Sequence, residues 1–457
     1  MRDDTGDTES AAPTPAEVRA RWTSLDLLLL AAVTVAAAFV RLWSIEQWSF
    51  DAYEAVTWRA VTQPLDAFAA SEQSRFPLVY LLLRWLIDAG VLPGVTEGWL
   101  RLPFAFVATL AVPLAAVLAR PLLGRGVARL AATALAVHPL HVMFGQTATP
   151  VGIATTVVLA AGVVAMRRWW GSALLLVLLA GACHPAGWLA GAGLVVAAAD
   201  RHGRLPALPR WLWLVLLLPA TVLLPRLWID AGPAVLLLAL VTLWQRPSAV
   251  AGLSLAATLP LVGGAAWWWV DAQAATAAIV AALPTLLVLA AWSAVRFVAV
   301  VVERLQPTRV ARLVAVAPAV MLLGELLTGT FLYFVVFAGG RPDWRAVQRA
   351  AIAHAIPGED LRVAAGHGLD VLRTYLRSNH WRASRTDPHP GIHVDPFVDD
   401  DVAIARLLAA PGALLALDHD EYARLRARPE LAAAFHTVGV WARPERHGDA
   451  SVYLLQR

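Results

Sequence analysis

Long apolar runs separated by short arginine-bearing loops fill the first three quarters of the chain. A helix needs roughly 20 apolar residues to cross a bilayer core of about 30 Å, and runs such as LDLLLLAAVTVAAAFV approach or reach that length. The pattern predicts an all-α polytopic membrane protein of about eleven transmembrane helices. The predicted spans are residues 25–42, 100–120, 129–143, 150–166, 170–182, 184–199, 211–228, 231–245, 249–270, 274–300 and 313–338.

A twelfth apolar stretch, residues 77–92, is short, starts with a proline and contains two charged residues. If it crossed the membrane, the arginines at 120–129 and 167–168 would lie outside, against the positive-inside bias. We therefore expect an interfacial or re-entrant helix inside one long outer loop, residues 43–99. With residues 1–24 as a cytoplasmic tail and eleven spans, the C-terminus is extracytoplasmic.

Residues 340–457 differ from the rest because they are charged and contain many histidines. LRVAAGH and SVYLLQR alternate as strands do, and DVAIARLLAA has a helical pattern. We expect a small, soluble, extracytoplasmic α/β domain after a transmembrane domain that covers residues 25–338.

Composition supports the membrane prediction and limits the chemistry. The chain is 59% hydrophobic with a mean hydropathy of +0.61, too apolar for a soluble domain. Its basic residues are all arginines, which the predicted topology places mainly in cytoplasmic loops, so the basic balance does not indicate a nucleic-acid partner. Cys183 is the single cysteine, which excludes an internal disulfide. We expect a multi-pass protein of the inner (plasma) membrane, in contact with membrane lipids and without a cofactor.

The predicted outer loop carries the first candidate chemistry. Asp51 and Glu54 are three residues apart, so on a helix both carboxylates share a side. Acids near a low-dielectric boundary can have a raised pKa and act as a general base, although ordinary solvated loop acids are the simpler interpretation. Further along, Arg75 is placed to pair with a lipid phosphate or to anchor the loop at the headgroups.

Four polar residues cluster at the predicted outer ends of the spans: His138, His141, Gln146 and His184. Neutral imidazoles are good metal ligands, but this spacing matches no metal motif. Ionisable residues within a membrane usually face a cavity or a pathway. We expect these side chains to line a cavity and expect no metal site.

Several motifs between residues 25 and 200 resemble the GT-C superfamily of membrane glycosyltransferases, in the bacterial branch related to protein O-mannosyltransferases and lipid A sugar transferases. They are YEAVT, which keeps Glu54, RFPLVY, which keeps Tyr80, RLPFA from Arg101, and LLGRGVARLAATALAVHPLHV, which keeps His141. RPDWRAV is a looser match after the last span. The resemblance implies transfer of a sugar from a polyprenyl-phosphate donor to an envelope glycan, lipid or protein on the outer face.

The catalytic positions of this family are altered. Tyr53 stands where the family has an Asp, Arg75 where it has a His, and GQTATPV keeps Gln146 but lacks the family's Arg and Tyr. In the scheme that the resemblance implies, Asp51 or Glu54 accepts a proton from the acceptor hydroxyl and Arg75 neutralises the leaving phosphate. Tyr53 and Tyr80 are expected to line the same cavity.

Two other functions remain open. A catalytically degenerate relative would bind polyprenyl phosphate or a glycan and assist envelope assembly, and the altered motifs favour it. A transporter fits less well, because we find no inverted repeat and no matched pair of spans broken by Gly or Pro. Convergence of Asp51, Glu54 and Arg75 on one outer cavity would favour the enzyme, whereas carboxylates splayed into solvent would favour the binding protein.

Overall fold

The architecture is taken from a computed structural model, in which most of the chain is described. The described residues are 22–92, 96–201, 221–245, 248–267, 272–304, 309–336, 341–354, 356, 360–366, 368–377, 392–397, 409, 412–442, 444–445, 448–449 and 451–457. Most of the predicted span 211–228 and of the predicted tail 1–24 lies outside them.

The described membrane part of the chain contains helices and no strand. Its helices are α1 (Ser24–Leu42), α2 (Ala52–Thr62), α3 (Leu65–Ala69), α4 (Leu78–Asp88), α5 (Glu97–Leu123), α6 (Arg125–Ala136), α7 (Pro139–Gly145), α8 (Pro150–Met166), α9 (Trp170–Cys183), α10 (Pro185–Arg201), α11 (Leu224–Asp230), α12 (Pro233–Gln245), α13 (Ser248–Trp267), α14 (Ala272–Arg304) and α15 (Arg309–Val335). Short 3₁₀ turns cover Glu72–Arg75 and Thr221–Leu223.

These helices confirm an integral membrane protein. Among the described residues, α1, α5, α14 and α15 are long and apolar enough to cross a membrane, and the bent pair α6 and α7 makes a fifth candidate. Shorter apolar helices include α8, α9, and parts of α10, α12 and α13. The count of eleven spans stays a prediction.

One predicted span is wrong as a single helix. Residues 129–143 belong to α6 and α7, which meet at an angle of 59°. The cause is Pro139: it has no backbone N–H to donate, and it disfavours helical geometry at His138, which is extended. His138 instead becomes the N-cap of α7.

Helix α4 matches the prediction for residues 77–92. Its 11 residues extend about 16 Å, too short to cross the bilayer core. Val79 and Leu83 are buried, whereas Leu82 and Trp85 are exposed, and the helix packs against α2 and α9. This two-sided character fits an interfacial helix, whose position relative to the membrane remains a prediction.

The C-terminal part confirms the predicted α/β domain. Its elements are α16 (Trp344–His354), β1 (Leu361–Ala365), α17 (Leu369–Arg377), β2 (Ile392–Pro396), β3 (Leu414–Asp418), α18 (His419–Arg426), α19 (Pro429–Ala434), β4 (His436–Trp441), β5 (Pro444–Glu445), β6 (Gly448–Asp449) and β7 (Val452–Gln456). Five strands form a sheet in the order β2-β1-β3-β7-β4.

The sheet is mixed: β1 pairs parallel with β2 and β3, whereas β7 pairs antiparallel with β3 and β4. The two segments that were predicted to be strands, LRVAAGH and SVYLLQR, contain β1 and β7. The segment DVAIARLLAA lies outside the described residues except for position 409.

The α/β domain packs directly on the predicted outer loop. One apolar cluster contains Phe50 and Trp58 from the loop, Leu100 from α5, and Trp344 and Val452 from the domain. Burial of such a shared core holds the loop helices and the domain together. The domain is therefore part of the wall around the loop carboxylates.

Candidate active site

Asp51 and Glu54 begin helix α2 as a reciprocal cap. The Asp51 carboxylate accepts a hydrogen bond from the Glu54 backbone N–H at 2.8 Å, and the Glu54 carboxylate accepts one from the Asp51 N–H at 3.2 Å. This capping box satisfies two N–H groups that a helix start leaves without a partner. The i, i+3 spacing thus brings the two carboxylates together, as the sequence predicted.

Glu54 is fully buried against Arg101 of α5. Its two oxygens accept from Arg101 Nε at 2.6 Å and Nη2 at 2.7 Å, the bidentate geometry of the strongest ion pairs. Oε1 also accepts the Ala148 backbone N–H at 3.0 Å. The Glu54 side chain therefore links α2, α5 and the chain after α7.

All five N–H donors of Arg101 are used. Besides Glu54, they reach the backbone carbonyls of Ile45 and Trp48 through Nη1 and that of Ser49 through Nη2, at 2.7 to 2.9 Å. This one guanidinium fixes the chain that runs from the end of α1 to Asp51. Gly98, one helical turn before Arg101, lies where a Cβ would fall 2.2 Å from the side chain of Glu46, so a larger residue there would require that exposed side chain to move.

A second arginine approaches Glu54 from the segment before α16. Arg341 Nη2 donates to the Gln146 carbonyl at 3.0 Å and to Thr147 Oγ1 at 2.8 Å. Its Nη1 lies 3.5 Å from Glu54 Oε2 and is buried without a hydrogen-bond partner among the described residues. The Thr149 hydroxyl is likewise buried without such a partner in the described chain. A buried N–H and a buried hydroxyl are thus available here to a ligand.

Gln146 connects three parts of the bundle. Its amide nitrogen donates to the Trp43 carbonyl at 2.7 Å, and its amide oxygen accepts from the Tyr333 hydroxyl of α15 at 3.1 Å. With every polar atom of its side chain bonded, Gln146 holds the end of α1 beside α15.

The two carboxylates differ in charge state. Burial opposes ionisation of Glu54, but the charges of Arg101 and Arg341 outweigh it and hold the pKa of Glu54 below its usual value. Burial, with the neighbouring Glu54 charge, raises the pKa of Asp51 to about 6. Asp51 is half-buried, and its second oxygen has no hydrogen-bond partner among the described residues. The Glu54 carboxyl group therefore stays ionised, whereas Asp51 can exchange a proton near neutral pH.

The α/β domain reaches the residue next to Asp51. The Tyr375 hydroxyl of α17 accepts the Phe50 backbone N–H at 2.8 Å and donates to Glu97 Oε1 at 2.8 Å. Burial raises the pKa of Tyr375, so its hydroxyl stays neutral and keeps the proton that it donates. Arg345 pairs with Glu97 from α16. The backbone that carries Asp51 is therefore held from the membrane side and from the domain side.

Among the other predicted residues of the loop, Arg75 lies apart from this network. Arg75 ends the 3₁₀ turn, is exposed, and forms no hydrogen bond or ion pair with the rest of the described chain. Tyr53 is exposed, and Tyr80 packs its ring against Phe68. The cations that lie beside the carboxylates are Arg101 and Arg341, not Arg75.

The three histidines have separate structural partners. In both His-Pro pairs, Nδ1 of the histidine accepts the N–H two residues later at 3.2 Å: His138 caps α7 and His184 caps the start of α10. Buried His141 contacts Arg41 through Nδ1 at 2.7 Å. These contacts explain the histidines as helix caps and packing groups, and their role as cavity lining remains a prediction.

Sequence reasoning missed four residues of the network: Arg101, Arg341, Tyr333 and Tyr375. Arg101 and Arg341 stand in RLPFA and RPDWRAV, two of the motifs that carry the family resemblance, so the signal was present. Nothing local in the sequence marks Tyr333 or Tyr375, because their partners lie 187 and 325 residues away.

No protein-family model and no curated protein matches the chain. Among solved structures, it is similar to ArnT from Cupriavidus metallidurans in the apo state, with 15% identity, a TM-score of 0.45, and coverage of 94% of this chain and 97% of ArnT. A crystal structure of the same ArnT bound to undecaprenyl phosphate matches with 15% identity, a TM-score of 0.44 and the same coverage. Because both TM-scores lie below 0.5, these likenesses do not by themselves assign an activity to the chain.

Proposed function

We propose that the chain is an integral membrane glycosyltransferase that transfers a sugar from a polyprenyl-phosphate donor to an envelope acceptor on the outer face. The observation that carries the proposal is the state of Asp51: a half-buried carboxyl with a pKa of about 6 and one unused oxygen, held beside a buried cluster of arginines. The motif resemblance supplies the reaction class.

Asp51 is the proposed general base. The acceptor hydroxyl gives its proton to the free Asp51 oxygen while its own oxygen forms a bond to the anomeric carbon of the sugar. The bond between that carbon and the phosphate oxygen breaks, and the electron pair leaves with the lipid monophosphate. A base with a pKa near 6 is ionised at neutral pH and takes a proton more readily than an ordinary aspartate.

Glu54 has a different proposed role. Because two arginines face its carboxylate and its pKa is low, it is a poor proton acceptor. It instead positions Asp51 through the capping box and keeps Arg101 and Arg341 in place. Of the two carboxylates considered from the sequence, the geometry favours Asp51 as the base.

Arg341 is the proposed partner of the leaving phosphate. Its buried Nη1–H lacks a hydrogen bond within the described chain, and its charge lies beside the same carboxylates. A preorganised guanidinium stabilises charge that develops on a phosphate during reaction. Arg75, exposed at the end of its turn, remains a candidate for the headgroup of a bound lipid before the reaction.

A membrane assay with labelled polyprenyl-phosphate sugars tests the proposal. Asp51→Asn keeps the helix cap but removes the base, and general-base losses are typically about 10²- to 10⁴-fold in rate. The matched control is Asp66→Asn, which alters an exposed acid of the same loop. We expect the first variant to lose transfer and the second to retain it.

Arg341→Gln tests whether this arginine stabilises the leaving phosphate or only supports the fold. We expect a fall in kcat with folding retained, and no change for Arg349→Gln, an exposed arginine eight residues later. Unchanged transfer by Asp51→Asn would refute the proposed base. Saturable binding of the donor lipid without transfer by the wild type would instead support the degenerate binding protein.

A further inference from the structure

A cavity lies at the end of α1 opposite to Asp51, between α1, α5 and α6. It encloses about 110 Å³. Each of the three helices presents a charged residue at its end and small or apolar residues one or two turns deeper: Asp26 then Val33 on α1, Arg120 then Ala116 on α5, and Arg125 then Ala132 on α6. Four to seven residues of helix correspond to about 6–10 Å. The cavity is therefore charged at its mouth and apolar at its floor.

The mouth carries an excess of positive charge. Asp26, itself buried, accepts Arg120 Nη1 at 3.0 Å and Arg129 Nη2 at 2.5 Å, and lies 3.6 Å from Arg125 Nε. Among the residues that the structure describes, one carboxylate at the mouth faces three guanidinium groups. The side chains of Arg125 and Arg129 are 39% and 45% exposed, so a ligand can reach them.

The backbone adds to this field. Gly124 adopts φ +91°, a conformation that favours glycine, and lets the chain turn directly from α5 into α6. Helix α6 begins at Arg125 without a side-chain cap, so its N-terminal N–H groups and the positive end of its dipole lie at the cavity mouth. Such a helix start favours phosphate and other anions.

We propose that this cavity binds one anionic phospholipid, with its phosphate at Arg125 and Arg129 and the first part of an acyl chain against Val33 and Ala132. The apolar floor favours a lipid over a free phosphate ion, because an acyl chain can contact the floor whereas the ion would contact only the charged residues at the mouth. The position fits, since α1 and α5 have the length of membrane spans and Leu28 of α1 is 67% exposed for contact with lipid. This site is separate from the proposed transfer reaction.

Native mass spectrometry of the full-length protein tests the site with phosphatidylglycerol and, for comparison, phosphatidylcholine. We expect saturable binding of one phosphatidylglycerol in preference to phosphatidylcholine. Each arginine near an anionic lipid contributes about 1 kcal/mol, so the double variant Arg125→Gln/Arg129→Gln should bind about 30-fold more weakly. The matched control is Arg167→Gln/Arg168→Gln, two exposed arginines that do not line the cavity.

A second variant keeps every charge. Val33→Phe narrows the apolar floor, and we expect it to weaken phosphatidylglycerol binding severalfold while the unfolding transition stays in place. If the Arg167→Gln/Arg168→Gln control loses as much phosphatidylglycerol affinity as Arg125→Gln/Arg129→Gln, the effect comes from general surface charge and the proposal is overturned. Unchanged phosphatidylglycerol binding by Val33→Phe would also overturn it, since the floor would then contribute nothing.

The acidic residues at the start of the chain provide the last test. Residues 2–12 contain four acids, and an intramolecular tail is the competing occupant of a basic cavity. We expect deletion of residues 2–12 to leave phosphatidylglycerol affinity unchanged. Severalfold tighter binding after the deletion would identify the tail as the occupant and refute the lipid assignment.

Discussion

Removal of the Glu54 charge should destabilise the folded chain strongly. In Glu54→Gln, Arg101 keeps its position but loses the anion that accepts two of its five N–H groups, while a new amide NH₂ group faces other donors. The side chains of both residues are 0% exposed, so water cannot replace the lost contacts. Breaking a buried ion pair on one side typically costs about 3–5 kcal/mol, and we expect a loss in that range.

Removal of Arg101 together with the Glu54 charge should recover part of the lost stability. In Glu54→Gln/Arg101→Met, no unpaired charge remains from this pair, so the double variant should be more stable than the sum of the two single changes. Recovery should still be incomplete, because the carbonyls of Ile45, Trp48 and Ser49 lose their donor and a buried carbonyl without a partner costs about 1–3 kcal/mol.

Unfolding in detergent micelles, followed by circular dichroism as a denaturing detergent is added, measures these free energies. Asp66→Asn is the control, since an exposed surface change is usually within about 0.5 kcal/mol of wild type. A decrease in the free energy of unfolding of less than about 1 kcal/mol for Glu54→Gln would refute the reasoning, because ion pairs exposed on a protein surface contribute that little.

The remaining predictions concern pH, the domain contact and topology. The pKa of Asp51 is about 6 in the fold and about 3.9 in an unfolded chain, so the stability of the wild type relative to Asp51→Asn should decline as pH rises from about 4 to 6; a difference that does not change with pH would contradict the shift. Transfer activity should rise with pH through about 6 if Asp51 is the base. Tyr375→Phe should lower the Tm by several degrees because it removes both buried hydrogen bonds of the hydroxyl, whereas Tyr422→Phe, which loses an exposed contact with Arg426 and one with Thr437, should lower it less. In a chain with Cys183 replaced by Ala, a cysteine introduced at Arg424 should react with an impermeant reagent from outside and one at Arg168 should not; labelling at Arg168 would overturn the predicted topology.

Sequence pattern predicted the architecture well where a local signal exists. Helical length and composition located α1, α5 and α14, and alternation located β1 and β7, because these patterns depend on neighbouring residues. The bend at His138 was missed, although the following proline carries a signal that ends a helix.

The candidate site was predicted in part. The approach of Asp51 and Glu54 followed from their spacing, since three residues span one turn of a helix. The partner cation did not follow, because Arg341 comes from the other end of the chain and the burial that makes it important is a property of the folded molecule. Arg75 was chosen for its place before the predicted interfacial helix, where a guanidinium can pair with a lipid phosphate, and such a place along the chain does not fix which charges meet in three dimensions.

The Tyr375 contact has a consequence for the order in which the protein is made. The Phe50 N–H that it binds lies 325 residues earlier, just after the first predicted span. During synthesis the early helices enter the membrane long before Tyr375 leaves the ribosome, so the segment that holds Asp51 gains its last fixed contact only at the end of translation. The loop that carries Asp51 would pass most of biosynthesis in an incomplete state, and a chain truncated before α17 would contain both carboxylates without the domain that holds them in position.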